Sequence, residues 1–93
     1  MEFLVRLANT MPPEVPDDVR AALRTAERAR AAALREQGVL VRLWRVPGTR
    51  TAIGLFAAPD ATALHDALAS LPMFPWQDIT VEALATHPQE QQP

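Results

Sequence analysis

The sequence predicts one α+β domain in which two helices cover one face of a four-stranded antiparallel sheet. Three observations carry that prediction. Four short apolar stretches have the length and residue types of strands, and two longer ones repeat their apolar residues at helical spacing. The six follow one another in the order βαββαβ, the split-βαβ or ferredoxin-like arrangement. A chain of 93 residues suffices for one such domain and not for two. Residues 1–85 are expected to form it, with 86–93 as a polar tail.

The first strand is read at residues 2–8, where Phe3, Val5 and Leu7 share one side and Leu4 and Ala8 share the other with Glu2 and Arg6. Pro12, Pro13 and Pro16 then forbid regular structure and make a loop. Asp17 suits an N-cap and Asp18 a positive first turn. From there to Gln37, Val19, Ala22, Leu23, Ala26, Ala33 and Leu34 fall on one side of a helix, which Gly38 ends. Residues 39–46 and 50–57 form an antiparallel hairpin about the turn Pro47-Gly48-Thr49. Asp60 caps a second helix whose buried stripe is Leu64, Ala67, Leu68 and Leu71, and Pro72 stops it. Met73-Phe74-Pro75-Trp76 is a stiff apolar connector, and residues 78–84 supply the fourth strand.

In the hairpin strand 39–46, Leu40, Trp44 and Val46 are expected on one side and Val39, Val41 and Leu43 on the other. A sheet wetted on one face alternates cleanly, so the face away from the helices needs a cover. A second copy of the chain is the simplest candidate, which makes the protein a homo-oligomer.

Composition removes several classes of function. The net charge is −2 and the pI near 5.6, which disfavours nucleic acid or a membrane surface as partner. There is no cysteine, hence no disulfide framework, zinc thiolate or cysteine nucleophile. Every basic side chain is arginine, so lysine Schiff-base chemistry is absent as well. His65 and His87 lack ligand spacing, so no metal site is expected. Ser70 is the only serine and stands outside any nucleophile-elbow motif, and the three glycines form no phosphate loop. The N-terminal apolar stretch carries Glu2 and Arg6 and does not read as a signal peptide, and no run approaches the roughly 20 apolar residues of a membrane span. A cytoplasmic location is expected.

Glu27 is the candidate for chemistry. Between Val19 and Arg35 it is the only carboxylate, set among Arg20, Arg24, Arg28 and Arg30. At about 100° per residue it lies on the flank of the apolar stripe, where a carboxylate reaches a cleft between helix and sheet and serves in proton transfer. The alternative is a surface glutamate paired with Arg24 or Arg30. Arg42, Arg45 and Arg50 come from the hairpin. One of them, with Arg24, is placed to hold an anionic substrate, or else they pair with Glu2, Asp78 or Glu82 on neighbouring strands. Trp44 and Trp76 either wall a pocket or belong to core or interface.

At Leu43-Trp44-Arg45-Val46-Pro47-Gly48 the chain resembles the muconolactone Δ-isomerase family. The likeness continues through Leu64-His65, Ser70-Leu71-Pro72-Met73-Phe74-Pro75, Asp78-Ile79, Leu84-Ala85 and His87-Pro88, and includes Phe3, Val5-Arg6, Pro12 and Pro16 near the start. The resemblance implies a dimeric α+β barrel built from ferredoxin-like subunits, assembled as dimers and then larger rings such as decamers. It implies an intramolecular isomerase of aromatic catabolism, in the β-ketoadipate pathway, that shifts a ring double bond of a carboxylate-bearing lactone without a cofactor. Glu27 matches the family's helix glutamate, and Arg24 is the surviving basic position of that helix. Two departures bear on substrate. Where the family often shows a tyrosine, any residue, then an asparagine, this chain has Arg50-Thr51-Ala52, and a common first-strand histidine is replaced by Leu4. They leave open a repurposed member acting on another small molecule, such as a biosynthetic intermediate, or a non-catalytic oligomeric binding module.

Overall fold

The computed structural model describes residues 1–91. Its elements are β1 (Glu2–Asn9), α1 (Asp17–Glu36), β2 (Leu40–Arg45), β3 (Thr51–Ala57), α2 (Ala61–Ala69) and β4 (Gln77–Leu84), with short 3-10 turns at Phe74–Trp76 and Pro88–Gln91. The order is the expected βαββαβ. The second 3-10 turn falls in the expected polar tail, whose last two positions, 92 and 93, lie outside the described residues.

The strands pair antiparallel in the order β2-β3-β1-β4, which places β1 and β3 inside and leaves β2 and β4 as edges. Register assigns the two faces. Phe3 pairs with Phe56 and Ala83, Val5 with Gly54 and Val81, and Leu7 with Ala52 and Ile79. The β1 and β3 side chains of this set meet the helices through a core of Phe3, Val5, Leu7 and Phe56 with Leu34, Leu40, Leu64, Leu68 and Leu71. Gly54 is required there, because a Cβ on it would lie 2.6 Å from the buried Phe56 ring.

Helix termini follow local chemistry. Pro16, not Asp17, is the N-cap of α1: its backbone is extended (φ −57°, ψ 147°) and its carbonyl accepts the first helical bond from the Arg20 N–H at 2.9 Å. Asp17 and Asp18 are therefore both first-turn residues, where their charge favours the positive end of the helix. At the other end Gly38 takes φ +77°, its N–H donating to Arg35 O and that of Val39 to Leu34 O. That is the Schellman pattern of a glycine-terminated helix. Asp60 caps α2 by accepting the Ala63 N–H at 2.8 Å.

Two side-chain placements differ from expectation. In β2 a register shift between Leu40 and Arg42 inserts Val41 as an extra residue. Leu40, Leu43 and Arg45 therefore share the helix side, and Trp44 joins Arg42 on the open face, with the Arg42 guanidinium 5.1 Å from the Trp44 ring centroid. In α1 the inward arc is rotated from the predicted stripe. Leu23, Glu27, Arg30, Ala31 and Leu34 are half-buried or buried, while Val19, Ala22, Ala26 and Ala29 are exposed. Alanine methyls bury too little area to orient a helix; Leu23 and Leu34 decide it.

The domain is open. Its radius of gyration is 14.7 Å, against about 12 Å for a compact chain of this length. Leu34 is the one buried residue of α1, and β4 is exposed from Thr80 to Leu84. The open sheet face carries Leu4, Ile53 and Leu55 at its centre with Arg6 beside them, between a cationic edge at Arg42 and an anionic edge at Asp78 and Glu82.

Candidate active site

Glu27 sits near the middle of the inward arc of α1, half-buried, with Leu23 one turn before it and Ala31 one turn after. Its Oε1 accepts a hydrogen bond from the Met73 N–H at 3.0 Å. Arg30, one turn further along the same face, donates from Nε to Ser70 Oγ at 2.9 Å, and Ser70 in turn donates to the Ala67 carbonyl at 2.6 Å. Two side chains of α1 thus tie the helix to the segment after α2. Of Glu27's two expected surface partners, Arg30 donates to Ser70 and Arg24 is exposed.

That segment is itself rigid. Leu71 is buried, the Phe74 N–H donates to Leu71 O at 3.0 Å, and the Trp76 N–H to Met73 O at 2.9 Å. The Trp76 carbonyl accepts from both the N–H and the Oγ1–H of Thr10, at 2.7 and 2.8 Å. The Phe74 ring meets His65 edge-on, with centroids 6.0 Å apart.

The arginines divide by position. Arg24 lies one turn before Glu27 on α1, exposed at the border of the inward arc. Arg45 is exposed on the helix side of the sheet, in a row with Ala52 and Leu7. Arg50 is exposed at the hairpin end, where its carbonyl accepts the Asn9 N–H at 3.1 Å. Trp44 is on the open face and does not share a cleft with Glu27 of its own chain.

An apolar cleft of about 340 Å³ opens between α2 and β4, lined by Phe3, Leu64, Leu68, Phe74, Ile79 and Val81 with His65 beside them. It does not include Glu27, and nothing in the sequence marked it. His87 takes the Gln89 N–H on Nδ1. Among the described residues no three His, Asp or Glu side chains cluster as metal ligands, and no helix is long and apolar enough to cross a membrane.

The fold and this arrangement define a ferredoxin-like α+β subunit that sets one helix carboxylate inward against a rigid connector. The profile of the muconolactone delta-isomerase family matches residues 1–90. Muconolactone Delta-isomerase 2 of Acinetobacter lwoffii is 34% identical over 94% of this chain and 91% of its own length. The muconolactone Delta-isomerase of Pseudomonas aeruginosa is 34% identical over 95% of this chain and 92% of its own. A crystal structure of muconolactone isomerase superposes with a TM-score of 0.91 at 32% identity, covering 100% of this chain and 97% of that one. The chain belongs to the muconolactone delta-isomerase family, a family of isomerases.

Proposed function

We propose that the protein is a cofactor-free isomerase that shifts the ring double bond of muconolactone, or of a closely related carboxylate-bearing lactone, through Glu27. The observation that supports this most is the inward placement of that carboxylate, with one oxygen held by the Met73 amide. The carboxylate takes a C–H proton made acidic by conjugation with the lactone carbonyl. The C–H electron pair enters the new double bond, and the old double bond shifts its electrons toward the carbonyl oxygen. When the proton returns at the far carbon the carbonyl re-forms, so atoms and charge balance and Glu27 ends ionised as it began.

Arg24 and Arg45, both on the helix side of the sheet, grip the substrate carboxylate, and Arg50 adds a third cation at the hairpin end. A second reading, a related lactone or other small anion as true substrate, is favoured by Arg50 and Ala52 standing where the family often has tyrosine and asparagine. The deciding experiment incubates the purified protein with muconolactone and follows the ring protons by NMR, with no metal or cofactor added. Conversion to the enol-lactone is expected. No conversion, with saturable binding of another lactone acid, selects the second reading.

The working form is a dimer joined through the open sheet faces, in the cytoplasm, and Trp44 belongs to that interface. Arg42, Leu55, Leu4 and Glu82 form one cross-strand row. A two-fold axis along the strands lays β2 of one copy over β4 of the other and brings Arg42 onto the partner's Glu82. Leu4→Glu, which puts a second carboxylate beside Glu82 at the middle of that row, is expected to yield monomers in sedimentation velocity. An unchanged oligomer would place the interface elsewhere.

A further inference from the structure

The helix–connector contact carries more than the location of the base. We propose that the 70–76 connector is a positioning device for Glu27, in which Pro72 acts through the Met73 amide to fix one carboxylate oxygen and present the other to the substrate. The inference rests on the reading of Glu27 as the proton-transfer group.

A glutamate has three side-chain torsions, and an unrestrained carboxylate samples many orientations. Here Oε1 is held at 3.0 Å by a backbone N–H. The donor belongs to the Pro72–Met73 peptide, whose plane is set by the torsions on either side. Those torsions are ψ of Pro72 and φ of Met73; proline locks the bond immediately before them, its own φ, at about −65°, and Met73 stands at φ −88° and ψ 3° as the cap of the following 3-10 turn. The turn bonds from Phe74 to Leu71 and from Trp76 to Met73 close the segment on both sides of that peptide. Its ends are fixed independently, Ser70 to Arg30 of α1 and Trp76 to Thr10 after β1. The amide therefore meets Glu27 as a fixed donor. With Oε1 occupied, Oε2 is the oxygen free for proton transfer, and its direction is set before substrate arrives. Preorganisation of this kind raises turnover without tightening ground-state binding.

Pro72→Gly removes the restraint while leaving Glu27 and every arginine in place, and Pro72→Ala removes it in part. With muconolactone as substrate, Pro72→Gly is expected to lower kcat about tenfold with KM changed less than twofold, and Pro72→Ala to lose less. Amide exchange at Met73 should quicken at least tenfold in Pro72→Gly, a readout that does not depend on turnover. In the Glu27→Gln background Pro72→Gly should reduce the residual rate no further, because there is no base left to position. Equal fractional losses in both backgrounds would show the connector acting independently of Glu27, and an unchanged kcat in Pro72→Gly would overturn the device while leaving Glu27 as base. Full turnover in Glu27→Gln alone overturns the reading of the base and the device with it.

Discussion

Glu27→Gln is expected to lower turnover of muconolactone by at least two orders of magnitude while leaving fold and assembly intact. Glutamine matches glutamate in shape, and its side-chain oxygen still accepts the Met73 N–H that Oε1 accepts at 3.0 Å. The tie between α1 and the connector therefore survives, together with Arg30 on Ser70. What is lost is the basic oxygen, since an amide does not take up a carbon-bound proton at neutral pH. General-base contributions run from about a hundredfold to ten-thousandfold. A hundredfold corresponds to about 2.7 kcal/mol of barrier. KM should change little, because the arginines proposed to hold the substrate carboxylate remain. The measurement is steady-state kcat beside a thermal unfolding curve and a sedimentation run. Turnover within threefold of the parent, with normal folding, would remove Glu27 from the mechanism. Glu27→Asp is the companion: it keeps a base but draws it back by one methylene, and should fall between the two.

The parts of this protein that were legible in its sequence are those punctuated by residues of special backbone chemistry. The loop Pro12–Pro16, the glycine end of α1 at Gly38, the Pro47-Gly48 turn and the Asp60 cap all stand as expected. So does the family likeness carried by Leu43–Gly48 and Ser70–Pro75, now matched over residues 1–90. The illegible parts have physical reasons. In residues 39–46 nearly every position is apolar, so no alternation sets the register, and the extra residue at Val41 moved Trp44 to the open face unannounced. The apolar stripe of α1 was read largely from alanines, which weigh little in burial. The true inward arc follows Leu23 and Leu34 and carries Glu27 from the flank to near its centre. The Met73 amide had no side-chain signature at all. A backbone donor is visible only once the fold brings it 46 residues along the chain to its acceptor.

Leu34→Ala is expected to be the most damaging single truncation in α1, at about 3 kcal/mol of stability. Leu34 is 1% exposed and is the one buried residue of a 20-residue helix. Its side chain joins the core with Val5 and Leu40, and its carbonyl accepts the Val39 N–H that closes the Schellman end. Removing three carbons from such a site loses their transfer energy and leaves a cavity, and buried leucine truncations cost about 2–5 kcal/mol. In a domain of this size that lowers the unfolding midpoint by about 15 °C, measured at fixed protein concentration because any association between copies would shift the midpoint as well. The consequence reaches the site. With Leu34 gone, α1 is held by half-buried Leu23, by Arg20 on the Pro12 carbonyl at 2.9 Å, and by the Glu27 and Arg30 bonds to the connector. The folded fraction should therefore show a lower kcat as well as a lower midpoint. Ala26→Ser, on the exposed arc of the same helix, supplies the control and should stay within about 0.5 kcal/mol. If Ala26→Ser proved as costly as Leu34→Ala, the outer arc would be buried in the assembled protein, and the helix would owe its hold to a neighbouring subunit as much as to its own sheet.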